Sequence, residues 1–189
     1  MLRTRFFIAI LVLLASASVG AASYQLDPGQ TIPQFEIDHF WLFTVRGRFQ
    51  HAQGTLEYDV EQRTGKLRVV IDAGSLDTGD EARDAELKGA DWFDVRRHPS
   101  LSFRSHRFVF EQDKLVAIEG ELTMLGIAQP MRLEIASITC SGNPDSRRQR
   151  CRADASGTLQ RSHFGMRSGL PFISDEVRLR IQAEAYRED

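Results

Sequence analysis

The sequence predicts an all-β domain built from antiparallel strands. Apolar and polar residues alternate over several segments, and turn-forming residues recur between them about every 8 to 15 residues. Over 66–72, for example, Leu67, Val69 and Ile71 alternate with mostly polar neighbours. Such alternation is typical of strands with one apolar and one solvated face. Many strands at even spacing indicate either a sandwich or a closed barrel, and the alternation alone does not distinguish the two.

We predict about eight or nine strands and one short helix. The strand spans are 24–27, 32–40, 42–50, 53–61, 66–74, 100–110, 114–124, 130–140, 150–160 and 175–187, and the first can merge with the second. The helix is predicted at about 80–89, because this segment is polar, rich in Ala and Glu, and ends at a glycine. About eight strands is the size at which a barrel is just wide enough for one small ligand.

The first residues predict a secretory signal peptide. Arg3 and Arg5 provide a basic start, residues 6–14 are all apolar, and small residues follow. A helix of nine residues rises only about 14 Å, whereas a membrane core is about 30 Å thick, so a retained anchor is the weaker interpretation. We place cleavage after Ala22, with Ala17 as the alternative site. Residues 23–189 are then expected to form a single domain.

The mature chain is expected to be soluble. Removing 22 of the 189 residues leaves 167, and the removed segment carries two arginines, so the formal charge changes from −2 to −4. A mildly acidic chain has no general affinity for nucleic acid or for anionic membranes. No further apolar run approaches the length of a membrane span.

Cys140 and Cys151 are the only cysteines in the chain. Ten residues rich in turn formers separate them, and the flanking segments are predicted strands. In an oxidising compartment the pair would close the base of a hairpin loop, which contributes about 3 kcal/mol in the chain-entropy model. Two free thiols are the alternative. Two cysteines without close histidines do not complete a tetrahedral set of metal ligands, so no metal site is predicted. The sequence has no Gly-rich phosphate loop and no dinucleotide-binding motif, so no cofactor is predicted.

Short motifs follow one another in a characteristic order along the mature chain. They are YQLDP at 24–28, FEIDH at 35–39, VRGRF at 45–49, IDAGSLDT at 71–78, DWFD at 91–94, LSFRS at 101–105, GELTMLG at 120–126, RSHFGM at 161–166 and DEV at 175–177. Together they resemble the YceI-like family of bacterial periplasmic proteins. The resemblance implies an eight-stranded, lipocalin-like antiparallel barrel that encloses a polyisoprenoid chain such as an isoprenoid quinone. It also implies that the protein carries or stores that lipid, a role sometimes linked to stress responses.

The residues predicted to line the barrel are the apolar members of the alternating strands together with several aromatic side chains. They are Phe35, Ile37, His39, Phe40, Trp41, Phe43, Val69, Ile71, Trp92, Phe93, Phe103, Met124 and Phe164. His39 is the candidate for a contact with a polar headgroup, and ordinary core packing is its alternative. Trp92 and Phe93 are interpreted as a hydrophobic latch that closes one barrel end, with a movable plug as the alternative.

Two local patterns suggest catalysis only superficially. Paired catalytic carboxylates must face one site across a scissile bond, and the position of Asp91 and Asp94 three residues apart in a turn gives no reason to expect this. Ser162 and His163 are adjacent, and adjacent side chains generally do not form the hydrogen bond between a nucleophile and its base. No enzyme activity is therefore predicted.

We interpret the segment 161–165 instead as a turn at a strand end. In this interpretation Arg161 and Ser162 hydrogen-bond to the backbone, Phe164 packs inward, and Gly165 permits the bend.

The sequence thus predicts non-catalytic binding, storage or transport of a long apolar lipid in the periplasm. Four arginines near the cysteines, Arg147, Arg148, Arg150 and Arg152, are candidates for transient contact with a membrane surface, although a solvated loop is the simpler interpretation. The sequence does not decide whether the protein forms a homodimer. Two other functions stay open as well: an enzyme that uses the cavity, and a protein-interaction or stress-response module whose barrel is filled by its own side chains.

Overall fold

The computed structural model describes residues 21–59, 61–142 and 149–188. Residues 1–20 of the predicted signal peptide lie outside the described residues, as do Arg147 and Arg148. The strands are β1 (Ala22–Leu26), β2 (Ile32–His39), β3 (Phe43–Phe49), β4 (Ala52–Asp59), β5 (Thr64–Asp72), β6 (Leu76–Asp77), β7 (Ser100–Glu111), β8 (Lys114–Met124), β9 (Ile127–Gly142), β10 (Gln149–Gln160) and β11 (Ile173–Arg187). The helix α1 spans Glu81–Leu87, and two short 3-10 turns span Ala73–Ser75 and Arg161–Phe164.

The strands close into a barrel. Every pairing is antiparallel, and the ring runs β1-β4-β5-β7-β8-β9-β10-β11 before β11 returns to β1. The edge of β11 that faces β1 also pairs with β2, so β2 continues the position of β1 along the barrel. In the same way β3 continues β4, and the two-residue β6 continues β5. The predicted eight-stranded antiparallel barrel is confirmed.

The strand register gives the barrel two distinct ends. The helix end carries the β2–β3 hairpin, α1, the segment 88–99 and the segment 160–173. The disulfide end carries the connections β4–β5, β7–β8 and β9–β10. Within the described part of the chain, no helix is long and apolar enough to cross a membrane.

Local sequence explains how the elements at the helix end begin and pack. The side chain of Asp80 accepts a hydrogen bond from the backbone N–H of Arg83, which caps the first turn of α1. The helix is shorter than the predicted 80–89, because Asp80 is its N-cap and Lys88 its C-cap. In β3, a Cβ at Gly47 would lie 2.3 Å from the ring of Phe35, so glycine lets that ring lie across the strand.

At the disulfide end, a covalent cross-link joins two neighbouring strands. Cys140 and Cys151 are directly opposite one another in β9 and β10. Their sulfur atoms are 2.01 Å apart and their Cα atoms 4.1 Å apart. The predicted disulfide at the base of the β9–β10 hairpin is therefore present.

Candidate functional site

The barrel encloses a cavity of about 560 Å³. This is within the range of protein pockets that bury a small organic ligand. Inward-facing side chains of the barrel strands form the wall, among them Leu56, Leu67, Val69, Ile71, Leu101, Phe103, Phe108, Ile118, Leu122, Met124, Met131, Leu133, Ile135, Val177, Leu179 and Ile181. The alternative of a barrel filled by its own side chains is wrong, because the interior is hollow.

Small residues on two neighbouring strands make room for this cavity. Ala153 and Ala155 on β10 and Ala183 on β11 all line it, and Ala153 pairs directly with Ala183. On β10 they alternate with the exposed Asp154 and Ser156. The alternation that predicted a strand here thus places methyl groups where other strands place large side chains.

Nine of the residues predicted to line the barrel lie in the cavity wall. They are Phe35, Ile37, His39, Val69, Ile71, Trp92, Phe93, Phe103 and Met124. Their contact with a lipid stays a prediction.

Four predicted lining residues lie outside the cavity wall, so their prediction as lining residues is wrong. Phe40, Trp41 and Phe43 are exposed on the β2–β3 hairpin, outside the barrel. The apolar run resembles a buried strand, but Phe40 and Trp41 both adopt positive φ angles, of 51° and 56°, which turn the chain. Phe164 is buried in the core but is not part of the cavity wall, because it belongs to a 3-10 turn at the barrel end.

Arg161 is the central polar residue of the helix end. Its side chain is buried and lines the cavity. Nε donates to the carbonyl of Ser174 at 2.8 Å, Nη1 to that of Met166 at 3.0 Å and Nη2 to that of Ile173 at 3.0 Å. Burial lowers the pKa of its guanidinium. The arginine therefore ties the end of β10 to the start of β11 across the barrel end.

Trp92 closes the same end from the other side. The guanidinium carbon of Arg161 lies 5.3 Å from the centre of the Trp92 ring, a cation–π contact. The neighbouring Phe93 packs edge-on against Phe49, with ring centres 5.5 Å apart. Trp92 is only 9% exposed. This packing favours the hydrophobic latch over a movable plug.

His39 connects the cavity to the hairpin. Its ring lines the cavity and stacks on Phe43 with ring centres 5.3 Å apart. Burial lowers the pKa of its imidazole, and the charges of Arg83 and Arg161 lower it further. A neutral imidazole offers one donor and one acceptor. Its role toward a headgroup stays a prediction.

At the disulfide end the cavity wall reaches the protein surface. Ile138 and Cys140 both line the cavity and are exposed. Nearby, the hydroxyl of Tyr24 donates to Oε1 of Gln149 at 3.0 Å. The sequence pattern did not single out this rim, because its polar residues come from the first and tenth strands, which only the barrel closure brings together.

A buried carboxylate also lies at the disulfide end. Glu184 accepts from Arg152 Nε at 2.6 Å and from the Tyr186 hydroxyl at 2.7 Å. Burial alone would raise the pKa of Glu184, but the hydrogen bonds from Arg152 and Tyr186 outweigh it and the pKa is lowered. Arg152, predicted as part of a basic loop, is thus engaged by a carboxylate.

The two patterns considered for catalysis are held in structural contacts. Ser162 Oγ donates to Asp175 Oδ2 at 2.6 Å, and its backbone N–H donates to Asp175 Oδ1 at 2.8 Å. Asp94 pairs with Arg97 at 2.6 Å. In the described ranges no three side chains of His, Cys, Asp or Glu are grouped as a metal site would require.

Known proteins resemble this chain over almost its whole described length. The sequence profile of the YceI-like domain matches residues 24–185, almost the whole described chain. The chain belongs to the YceI-like family. It is 31% identical over 180 residues to the UPF0312 protein plu2095 of Photorhabdus laumondii, covering 94% of this chain and 93% of that protein. It is 30% identical over 180 residues to Protein YceI of Salmonella arizonae, with the same coverage of both.

Solved structures share the architecture of this YceI-like protein. BcnA of Burkholderia cenocepacia superposes with a TM-score of 0.71 at 20% identity, covering 84% of this chain and 98% of that one. A protein described as a polyisoprenoid-binding domain from Saccharophagus degradans superposes with a TM-score of 0.66 at 15% identity, covering 87% and 98%. At these identities the match concerns the fold alone.

Proposed function

We propose that this YceI-like protein binds a long apolar lipid, a polyisoprenoid or an isoprenoid quinone, inside its barrel without catalysing a reaction. The observation that carries the proposal is the cavity of about 560 Å³ with a wall of mostly apolar side chains. The structural relative described as a polyisoprenoid-binding domain supports this ligand class.

The binding energy in this proposal comes from partition. Each buried methylene contributes about 0.8 kcal/mol, so ten enclosed carbons contribute about 8 kcal/mol before the cost of ordering the chain. The polar wall residues stand mainly near the two barrel ends, where a headgroup can meet His39 at one end or the rim with Gln149 at the other. Cavity length and these few contacts then set the specificity.

We place the protein in the periplasm, where it stores the lipid or carries it between membranes. The predicted signal peptide and the Cys140–Cys151 disulfide support an oxidising, exported location. Exchange of cargo requires transient contact with a membrane, because a free polyisoprenoid chain is too apolar to cross water.

Mass spectrometry tests the ligand directly. Protein purified from the periplasm is extracted with organic solvent, and a prenyl lipid in stoichiometric amount is expected. The variant Ala155→Phe places a ring in the cavity wall and should recover several-fold less lipid, because it occupies the space that the tail needs.

The matched control is Ser156→Phe, one residue along β10 on the exposed outer face. It carries the same new ring and should retain its lipid. An extract without lipid from the unchanged protein, or full lipid in Ala155→Phe, contradicts the proposal.

A further inference from the structure

The β2–β3 hairpin ends in four consecutive large apolar residues, Phe40, Trp41, Leu42 and Phe43, called here the hairpin tip. Their exposed fractions are 49%, 81%, 83% and 55%. Phe172 lies against the tip: its ring stacks on Phe40 at 5.6 Å, and it is 55% exposed. Five of the eight large hydrophobic residues that are exposed in the described chain therefore lie in one place. Exposed apolar clusters of this kind usually mark an interaction site.

The backbone holds these side chains outward at a cost. Phe40 and Trp41 both occupy the left-handed region, which bulky residues rarely adopt and which glycine or asparagine would occupy with less strain. Hydrogen bonds fix the turn, from Phe40 N–H to the Phe172 carbonyl at 2.7 Å and from Leu42 N–H to the His39 carbonyl at 2.9 Å. Neither the core nor the turn requires a tryptophan here, so the exposed ring points to a role outside the fold.

We propose that the hairpin tip and Phe172 insert into the interface of a phospholipid bilayer and dock the barrel on a membrane. The tip is the convex end of a two-stranded hairpin with a three-residue turn. A fluid bilayer accommodates such a protrusion without a preformed groove. Tryptophan and phenylalanine are favoured at the boundary between headgroups and acyl chains.

The tip and the neighbouring segment 165–172 carry few charges. None of the four tip residues is charged, and the adjacent Asp38 accepts two hydrogen bonds of 2.9 Å from Arg178. The segment 165–172, which carries Phe172, has one charged side chain, the exposed Arg167. Within the described tip and the described segment 165–172, the one charged side chain is thus a cation, which suits anionic headgroups.

The tip is also continuous with the cavity wall. His39 stacks on Phe43 and lines the cavity, and Ile173 follows Phe172 and lines it too. A second copy of the chain is the alternative occupant, and the oligomeric state in solution distinguishes it from a bilayer.

The protein carries its own reporter for this docking. Of its two tryptophans, Trp41 is exposed on the tip and Trp92 is buried in the barrel end. Mixing the mature protein with vesicles of phosphatidylethanolamine and phosphatidylglycerol should shift tryptophan emission to shorter wavelength, and brominated acyl chains should quench it. Trp41→Phe keeps an apolar tip, so it should still sediment with vesicles while the spectral shift disappears.

The double variant Trp41→Asn with Leu42→Ser removes two large apolar side chains. Its vesicle partition coefficient should fall at least about tenfold, since withdrawing even one large apolar side chain from water contributes about that factor. Val70→Ser, an exposed apolar residue on the outer face of β5, is the matched control and should bind like the unchanged protein. Because the apolar tip provides most of the affinity, binding should persist at high salt.

Three outcomes overturn the proposal. Emission unchanged by vesicles excludes insertion of the tip. Vesicle binding that salt abolishes and that the double variant retains assigns docking to the basic residues at the disulfide end. A monomer–dimer equilibrium that the double variant abolishes, without vesicle binding, assigns the tip to a second copy. Docking does not depend on the cargo: a protein that binds vesicles but yields no lipid in the extraction fails the proposed function and keeps this inference.

Discussion

The two ends of the barrel are closed by different chemistry. At the helix end, one buried arginine and an aromatic latch line the cavity, and every guanidinium nitrogen of Arg161 donates to a backbone carbonyl. At the disulfide end, a covalent bond joins two strands, while Ile138 and Cys140 leave the cavity wall exposed. In the residues that the structure describes, the helix end is thus held together by many weak interactions, whereas the disulfide end is held by a covalent bond and leaves part of the cavity wall exposed.

The largest expected effect is at Arg161. The variant Arg161→Leu leaves one buried and two partly buried carbonyls without these donors, each costing up to about 1–3 kcal/mol, so we expect it to lose about 4 kcal/mol of unfolding free energy. Urea unfolding measures this. The control Arg46→Leu removes an exposed arginine paired with Glu36 and should change stability by less than about 1 kcal/mol. Equal stability of both variants would mean that the latch alone seals the helix end.

The disulfide end is expected to respond next. Replacing Cys140 and Cys151 by serine should lower the unfolding free energy by about 3 kcal/mol, because the open loop regains chain entropy. Reduction of the unchanged protein should give the same loss. Amide exchange should quicken mainly in the strand ends near the bridge. Faster exchange at the helix end as well would show that the two ends are not independent.

A gain in stability is expected on the hairpin tip. Trp41→Asn relieves a bulky residue from a positive φ and should stabilise the fold by about 1 kcal/mol while it weakens vesicle binding. Phe43→Asn is the control: Phe43 is also exposed but does not adopt a positive φ, so no gain is expected. If Trp41→Asn destabilises the protein, the exposed ring supports the helix end and the interpretation of stored strain is wrong.

Acidification should have the smallest effect on stability. One carboxylate at each barrel end reports it. Hydrogen bonds from Arg178 and then Thr44 lower the pKa of Asp38 from 3.8 to about 2. The contribution of Asp38 to stability is complete above pH 3.8 and is lost as the pH falls through about 2. The reason is that the carboxylate takes up its proton at a higher pH in the unfolded state than in the folded state. The unfolding curves of Asp38→Asn and the unchanged protein should therefore converge as the pH approaches about 2.

Glu184 is the corresponding carboxylate at the disulfide end. Because the pKa of Glu184 is lowered, its contribution to stability is complete above pH 4.5 and is lost on acidification below that pH. Glu184→Gln should differ from the unchanged protein at neutral pH and converge with it in acid. A difference that stays constant with pH would show that packing, and not charge, accounts for the role of Glu184.

Much of the fold was predictable because it rests on local pattern. The alternation at Leu67, Val69 and Ile71 specified which face of β5 turns inward, and Asp80 marked the start of α1. The turn at 161–165 also follows its interpretation in part: Arg161 bonds to backbone carbonyls, Phe164 is buried, and Gly165 has φ 86°. Ser162, by contrast, bonds to a carboxylate that lies thirteen residues away.

The remaining features depend on distant parts of the chain. The two-residue β6 exists only because β3 lies beside it, and no pattern of two residues can reveal it. The aromatic tip was assigned to the cavity because an apolar run resembles a buried strand when its backbone angles are unknown. The burial of Arg161 depends on carbonyls from the segment 166–174, which the barrel closure brings over the side chain.

The barrel closes by joining its first and last strands. Tyr24 pairs with Arg187, and β11 also completes the hydrogen bonds of β2. A chain that emerges from its N-terminus therefore stays an open, curved sheet with an uncovered apolar face until the fifteen residues of β11 arrive. Folding of this protein is then a late event that depends on contacts between distant residues, and a truncation within β11 would leave two unpaired edges prone to aggregation.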